Sequence, residues 1–359
     1  MSLDEDLFLY PTGWFQIAYR NELAPGEVQP RRYFGRDLVL YRGESGQYHV
    51  LDAFCGHLGA HLGHGGRVCA DDIVCPFHGW RWSCEGANVD IPYSERTNSR
   101  KQIRPWRTAE ASGSIWLWHD ALGEEPTYDP PDVPEAEDSD YYPAYPHCLE
   151  REYLAFPVQA LAENAVDFAH FQFVHKAGKP TEIADYGMDG PKFHVLHRLE
   201  FGLERGQTWL TPDGKPVVAE IDLEVHGVGV IVGRFKGTDE AVHFGCAVPV
   251  DHDVSEMRSA VLVRREPGDT GDAPTGVARA RVEHQQKQAH RDYPILSHLR
   301  YDPTPGFALE EARVYGAFRK WSAQFYENAA VARERGLLEY VPARGGIPPA
   351  VVAPAYGSR

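Results

Sequence analysis

The sequence predicts an α+β protein in two parts, an N-terminal all-β domain and a larger domain in which an antiparallel sheet is flanked by helices. Three observations predict it. From Trp14 to Asp120, short apolar runs are punctuated by Gly, Pro, Asn and Asp, as in a small sandwich or barrel. Residues 193 to 264 carry apolar alternation broken by glycine, the pattern of an antiparallel sheet. Three stretches, Pro157 to Val174, Val277 to Leu299 and Leu309 to Arg335, read instead as helices.

In chain order, the expected strands of the first domain are WFQIAYR, DLVLYR, YHVLDA, IVCPFH, WRWS and SIWLWHD, and this domain is placed at residues 1–122. The stretch GEEPTYDPPDVPEAEDSDYYPAYP, residues 123–146, is rich in proline and acid. Such a composition suits neither helix nor central strand, so it is read as a connector. The second domain is placed at 147–340, with PVVAEIDLEVHGVGVIVGRF and HFGCAVPV as its clearest strands. Residues 341–359, RGGIPPAVVAPAYGSR with the three residues before it, are expected to form a tail that frays.

A chain of 359 residues is long for one compact domain and suits two. Lys and Arg number 36 against 52 Asp and Glu, a formal charge of −16. That balance argues against nonspecific nucleic-acid binding, which needs cations to displace counterions from phosphates. A basic redox partner is compatible with it. The start, MSLDEDLFLYPTGWFQ, is acidic where a secretory signal is basic. The chain lacks a run of about eighteen apolar residues, so no membrane span is expected. Six cysteines in so long a chain do not read as a secreted disulfide framework. A reducing cytoplasm is the expected setting.

Chemistry is concentrated in FCGHLGAHLGHGGRVCADDIVCPFHGW, residues 54–80. Cys55-Gly56-His57 and Cys75-Pro76-Phe77-His78 each put one cysteine and one histidine on a tight loop, with 17 residues between His57 and Cys75. Two such loops brought together offer two thiolates and two imidazoles, a set for zinc or for a [2Fe-2S] cluster of the Rieske kind. The Cys-His, Cys-His order, the all-β frame and the glycines Gly56, Gly59, Gly65, Gly66 and Gly79 favour the cluster, since glycine lets backbone N–H groups approach sulfur. His61 and His64 read as loop histidines, and Cys69 and Cys84 as buried small hydrophobes.

A second constellation follows the connector. AENAVDFAHFQFVH contains Asp167, His170 and His175. Two histidines and one carboxylate can occupy one face of a non-haem Fe(II) and leave positions open for O2 and substrate. Asp167 and His170 are i and i+3, close enough for the carboxylate to orient the imidazole. His170 and His175, however, stand about 140° apart round an ideal helix. For both to reach one metal, the helix must distort or end between them.

With these residues in place, the chain resembles the Rieske non-haem iron oxygenases from about Trp14 to Tyr326. The catalytic domain of that family carries N-x-x-D-x-x-H-x4-H, matched here by Asn164, Asp167, His170 and His175. Within the family, CPFHGWRW, IPYSERT, LWHD and FRKWSAQFY are similar to the oxygenase components of 3-ketosteroid 9α-hydroxylases and the related cholesterol 7-desaturases. Respiratory Rieske proteins carry an extra cysteine in each loop, where this chain has Ala60 and Phe77.

The resemblance implies a helix-grip-like catalytic domain and a third iron ligand far down the chain. Glu283, Asp292, Asp302, Glu310 and Glu311 are the candidates. Asp292, in RDYPILSHLRYDPTP, matches the subgroup's aspartate and is chosen, with Pro294 expected to kink its helix and His284 and His290 as nearby spares. A [2Fe-2S] cluster on Cys55, His57, Cys75 and His78 would then receive electrons from a flavin/iron–sulfur reductase or ferredoxin, with NAD(P)H used only indirectly. Mononuclear Fe(II) on His170, His175 and Asp292 would activate O2. A homotrimer is implied, in which His78 of one subunit meets Asp167 of the next and Asp167 contacts His170, while Asn164 supports the site without binding the metal. The implied substrate is a small hydrophobic polycyclic molecule of the steroid or sterol kind, hydroxylated or desaturated. KAGKPTEIADYGMDGPKFHV is expected to form part of a pocket wall or lid, and Phe171 and Phe173 to belong to the core. Three other readings stand beside this one: the same metal chemistry on an aromatic or natural-product substrate, a Rieske electron carrier without oxygenase activity, and a zinc-stabilised binding module.

Overall fold

The structure, a computed structural model, describes residues 10–177, 181–201, 217–236, 240–302 and 304–338. The first domain is built from β1 (Gly13–Tyr19), β2 (Val28–Tyr33), β3 (Arg36–Arg42), β4 (Tyr48–Asp52), β5 (Arg67–Cys69), β6 (Asp72–Val74), β7 (Arg81–Trp82), β8 (Asn88–Asp90), β9 (Pro105–Trp106), β10 (Thr108–Ala111) and β11 (Ser114–His119). They form three small sheets, ordered β1-β11-β10, β2-β3-β4-β9 and β5-β6-β7-β8. Several of these strands are too short to show a pattern in sequence. Strand β2 contains Pro30, which is tolerated because β2 is the edge of its sheet. IVCPFH was expected as a strand, but the strand stops at Val74 and the chain turns at Cys75.

The connector holds one short 3-10 turn, Pro134–Ala136, and a single bridge from Tyr141 to Arg264, and it buries Val133 and Tyr142. Seven further strands then make one antiparallel sheet: β12 (Leu149–Leu154), β13 (Glu182–Asp189), β14 (Lys192–Phe201), β15 (Val217–His226), β16 (Val230–Lys236), β17 (Ala241–Asp251) and β18 (Val254–Val263), in the order β12-β18-β17-β16-β15-β14-β13. Most of the stretch expected as a wall or lid is edge strand β13 and the start of β14; residues 178–180 within it lie outside the described residues.

The helices are α1 (Val158–Asn164), α2 (His170–Phe173), α3 (Gly276–Leu296), α4 (Leu309–Ser322) and α5 (Glu327–Glu334), with a 3-10 turn at Ala323–Tyr326. The single helix expected from Pro157 to Val174 is thus two, broken between Asn164 and His170. Pro294 sits in the last turn of α3. Phe171 joins the core, whereas Phe173 is 70% exposed, a correction to its expected place. The tail expected at 341–359 lies outside the described residues.

The large sheet is covered on both faces. Phe193, Val195, Leu223 and Val225 pack under α1, α3 and α4 with Phe318 and Trp321, while Val230, Val232, Phe244 and Leu262 pack against Trp14, Trp116 and Trp118 of the first domain. Strand β18 is buried along its whole length for this reason. It also carries charge into the seam between domains: Arg258 donates to the Ile17 carbonyl (2.6 Å) and pairs with Glu22 (2.9 Å) and Glu256 (2.7 Å). Arg151 reaches Glu256 from the neighbouring strand (2.9 Å), and Arg32 pairs with Asp251 (3.0 Å). These partners fix how the two domains sit on one another.

Candidate functional site

The two Cys-His loops have the same backbone geometry. In the first, Cys55 N–H donates to Ala60 O (2.8 Å) and Gly59 N–H to Cys55 O (2.9 Å). In the second, Cys75 N–H donates to Trp80 O (2.9 Å) and Gly79 N–H to Cys75 O (3.1 Å). Both turns close through a glycine at positive φ, +74° at Gly59 and +73° at Gly79, a conformation that disfavours any side chain. Cys55 and Cys75 are buried, while Leu58 and Phe77 at the loop tips are 67% and 63% exposed. The rings of His57 and His78 lie 4.8 Å apart at that rim, and His57 stacks on Trp80 at 4.4 Å. Trp80 in turn donates to the hydroxyl of Tyr93 (2.7 Å), which places the IPYSERT stretch against the site.

Gly56 has a different task from the one expected. A Cβ there would stand 2.9 Å from the Trp82 ring, so glycine allows the indole to approach and donate its N–H to Cys55 Sγ (3.3 Å). Burial raises the Cys55 thiol pKa, opposed by the hydrogen bonds from His57 N–H and Trp82. Gly66 N–H serves its own turn by donating to Leu62 O. Cys69 and Cys84 are only half-buried, a correction to their expected burial; Arg81 donates to Cys69 Sγ at 3.8 Å. All six cysteines are free.

A tetrahedral zinc with bonds of about 2.0–2.3 Å would draw its four donors to within roughly 4 Å of each other. Among the described residues, Cys55, His57, Cys75 and His78 are not among the groups of three or more donors lying within 4.8 Å. Two buried cysteines with two histidines side by side at the rim fit a cluster that takes cysteines on one iron and histidines on the other.

His170, His175 and Asp292 do form such a group, with ligand atoms all within 4.8 Å. The break after α1 brings them together. Asp167 Oδ1 accepts the N–H groups of Ala169 and His170, both at 3.1 Å, so this aspartate holds the turn that leads from α1 into α2. That helix lasts one turn, and Lys176 at φ +65° ends the segment just past His175. The 140° mismatch of an unbroken helix is thereby removed. Asp292 reaches in from α3, its Oδ1 3.3 Å from His175 Nε2. Burial opposes charge on His170, but Asp167 and Asp292 outweigh it and raise the imidazole's pKa.

The other carboxylates proposed as third donor are occupied elsewhere. Glu283 pairs with Arg279, Asp302 accepts Thr304 N–H, and Glu311 accepts Ala308 N–H in the first turn of α4, where Glu310 also stands. His290 meets Glu150 (2.8 Å) and Glu152 (3.0 Å), and His284 meets the amide of Gln288 (3.1 Å). Asn164 ends α1, its carbonyl accepting Asp167 N–H at 3.3 Å.

Sequence reasoning missed two buttresses. His197 of β14 is buried, and its Nε2 lies 2.8 Å from Ala165 O, tying the helix break to the sheet. Burial lowers its pKa to about 4, so it is neutral at pH 7. Arg319, the arginine of FRKW, grips both oxygens of Glu163 on α1 at 2.9 Å. Neither the histidine of a strand nor the arginine of a helix carried a metal-ligand spacing that singled it out.

Two family models match the chain: Rieske [2Fe-2S] domain over residues 13–103, and 3-Ketosteroid 9alpha-hydroxylase C-terminal domain over 117–326. The chain is 35% identical over 342 residues to a cholesterol 7-desaturase of Hemicentrotus pulcherrimus, covering 89% of this chain and 70% of that protein. It is 27% identical over 334 residues to a 3-ketosteroid-9-alpha-monooxygenase, oxygenase component, of Rhodococcus rhodochrous, covering 88% and 84%. A solved structure of Pseudomonas putida CBB5 NdmA with caffeine shares the fold at TM-score 0.70 and 17% identity, over 94% of this chain and 95% of that one. No described helix is long and apolar enough to cross a membrane. Two buried thiols and two rim imidazoles on matched loops, joined to a domain of the 9α-hydroxylase type, make this chain a member of the Rieske oxygenase family.

Proposed function

We propose that the protein is a terminal oxygenase component that takes electrons from a separate flavin/iron–sulfur reductase or ferredoxin, and so indirectly from NAD(P)H, to oxidise a C–H bond of a steroid- or sterol-like polycyclic substrate with O2. The observation that carries this reading is the approach of His170, His175 and Asp292 to within 4.8 Å in a chain that also holds a Rieske domain. An electron carrier has no need of that triad. The steroid class is supported by the relatives, named for cholesterol 7-desaturation and 3-ketosteroid 9α-monooxygenation. Caffeine in the NdmA structure supports the second reading, the same chemistry on an aromatic or natural-product scaffold.

Fe(II) held by these side chains would supply open coordination positions at which O2 is activated. The chain's own residues do the rest. Cys55 and Cys75 would hold the cluster from the buried side, and His57 and His78 would hold it at the rim, on the face open to an electron partner. Asp167 is 30% exposed at its side chain and orients the segment bearing His170, which suits a homotrimer in which the neighbouring subunit's copy of His78 docks beside it. Asn164, three residues before Asp167, would support the site from behind without touching the metal. Six free cysteines suit a reducing cytoplasm.

Iron and acid-labile sulfide should be measured on anaerobically purified protein, followed by O2 uptake with a surrogate reductase and panels of steroids and of planar aromatics. Three irons and two sulfides per chain, with steroid-dependent uptake, are expected. Two irons and two sulfides after reconstitution with Fe(II) would reduce the protein to an electron carrier.

A further inference from the structure

The hydrogen-bond polarity around His175 points to Gln288 as a positioning residue for the mononuclear metal; we infer that its side-chain amide holds His175 in the tautomer that presents Nε2 to the metal. This rests on the proposal that His175 is an iron ligand. Gln288 lies on α3 four residues before Asp292 and four after His284, so the three share a helix face. Its Oε1 is 3.2 Å from His175 Nδ1 and 3.0 Å from an Arg291 guanidinium nitrogen, and its Nε2 is 3.1 Å from His284 Nε2.

Which end of an amide is oxygen is normally assigned rather than seen, but here the neighbours decide it. A guanidinium can only donate, so the amide atom facing Arg291 must be the oxygen. The same oxygen faces His175 Nδ1, which must therefore carry the proton and donate. A neutral imidazole with its proton on Nδ1 has its lone pair on Nε2, and that nitrogen is the one 3.3 Å from Asp292 Oδ1. The NH2 end of the amide donates to His284 Nε2. Arg291 and His175 thus both donate to Gln288 Oε1, and the permanent cation holds that oxygen in place as the acceptor for the His175 ring.

The two histidines are held unequally. His170 Nδ1 is held by a main-chain oxygen, that of Asp167, which no substitution removes. The ring of His175 depends on a replaceable side chain. Partners of this kind fix ring orientation and ligand basicity, and their loss commonly costs metal affinity.

Fe(II) affinity should be measured by chelator competition on the cluster-loaded protein, with the cluster's visible absorption as a check on folding. Gln288→Leu and Gln288→Asn, the second too short to reach His175, should each bind Fe(II) roughly 10- to 100-fold more weakly. Gln288→Glu, which restores an acceptor at the same reach, should recover most of that loss. Co(II) in place of iron should show a shifted d–d spectrum in the leucine variant and a nearer-normal one in the glutamate variant. His175→Ala separates the two levels of the argument. Iron binding lost in His175→Ala but unchanged in both Gln288→Leu and Gln288→Asn would overturn the role of Gln288 alone. Iron binding retained in His175→Ala would overturn the ligand assignment and the inference with it.

Discussion

The ring nitrogen Nδ1 of His170 lies 2.5 Å from the main-chain oxygen of Asp167, while the carboxylate of the same aspartate stands 3.8 Å away. The spacing of three residues had pointed to the carboxylate as the group that orients the imidazole. In the folded chain the backbone does that work, and the carboxylate instead accepts the N–H groups of Ala169 and His170 while keeping part of its surface in solvent.

Asp167→Asn preserves an acceptor for those N–H groups and leaves the main-chain oxygen in place, so the iron site should survive. We expect unchanged iron and cluster content. If the carboxylate couples the metals between subunits, product formation should fall about a hundredfold or more, the scale of a small misplacement at a reacting centre. Single-turnover reduction of the mononuclear site separates a coupling role from a folding role; near-normal turnover would remove Asp167 from the electron path.

The paired turns offer a comparison with an internal control. Gly59 at φ +74° has nothing within 4 Å of a Cβ built upon it, whereas a Cβ on Gly79 at φ +73° would stand 2.9 Å from Pro92 Cγ. Gly59→Ala should cost only the left-handed backbone penalty, about 1–2 kcal/mol. Gly79→Ala should cost more, since Pro92 must also shift. Thermal unfolding of both variants, with cluster absorbance followed in the same scan, tests the order. Equal losses would mean that the Pro92 contact relaxes freely.

Trp82 reaches Cys55 through the gap left by Gly56, and its indole N–H donates to the sulfur proposed as a cluster ligand. Such bonds stabilise the more negative, reduced cluster and raise its potential. Trp82→Phe should keep the cluster and lower its midpoint potential, read by spectroelectrochemical titration. An unchanged potential would show that the 3.3 Å contact carries no charge to the sulfur.

What could be read from sequence followed from local chemistry. Cys55, His57, Cys75 and His78 announce themselves by spacing, and the long alternating strands β15 to β17 by periodicity. Asp292 came from resemblance, since one acidic residue on a polar helix face looks like any other. Strands β5, β7 and β9, of two or three residues, are defined by their partners rather than by their own pattern. Phe173 reads as core because it is aromatic, yet it is the last residue of a one-turn helix and is exposed. The break that unites His170 with His175 was legible only as a geometrical demand, and the turn that makes it, held by the Asp167 carboxylate, became visible once Asp167's partners were known.

The seam between domains should govern behaviour in acid. Burial alone would raise the Glu256 carboxyl, but Arg258 and Arg151 overcome it and hold its pKa at about 2, below its ordinary 4.5. A carboxylate whose pKa is depressed on folding contributes stability that is fully present above its unfolded value and lost as pH falls through the folded one. For Glu256 that window runs from pH 4.5 down to about 2. Denaturant unfolding at stepped pH should therefore show stability declining through this range, and Glu256→Gln should flatten the decline. Arg258→Met tests the same network from the other side. It leaves Glu256 buried with Arg151 as its remaining close cation, and removing one partner of a buried pair typically costs about 3–5 kcal/mol. The loss should be visible at pH 7 and shrink toward pH 2, where Glu256 becomes neutral. A constant loss across that range would mean that Arg258 acts through its bond to the Ile17 carbonyl rather than through charge.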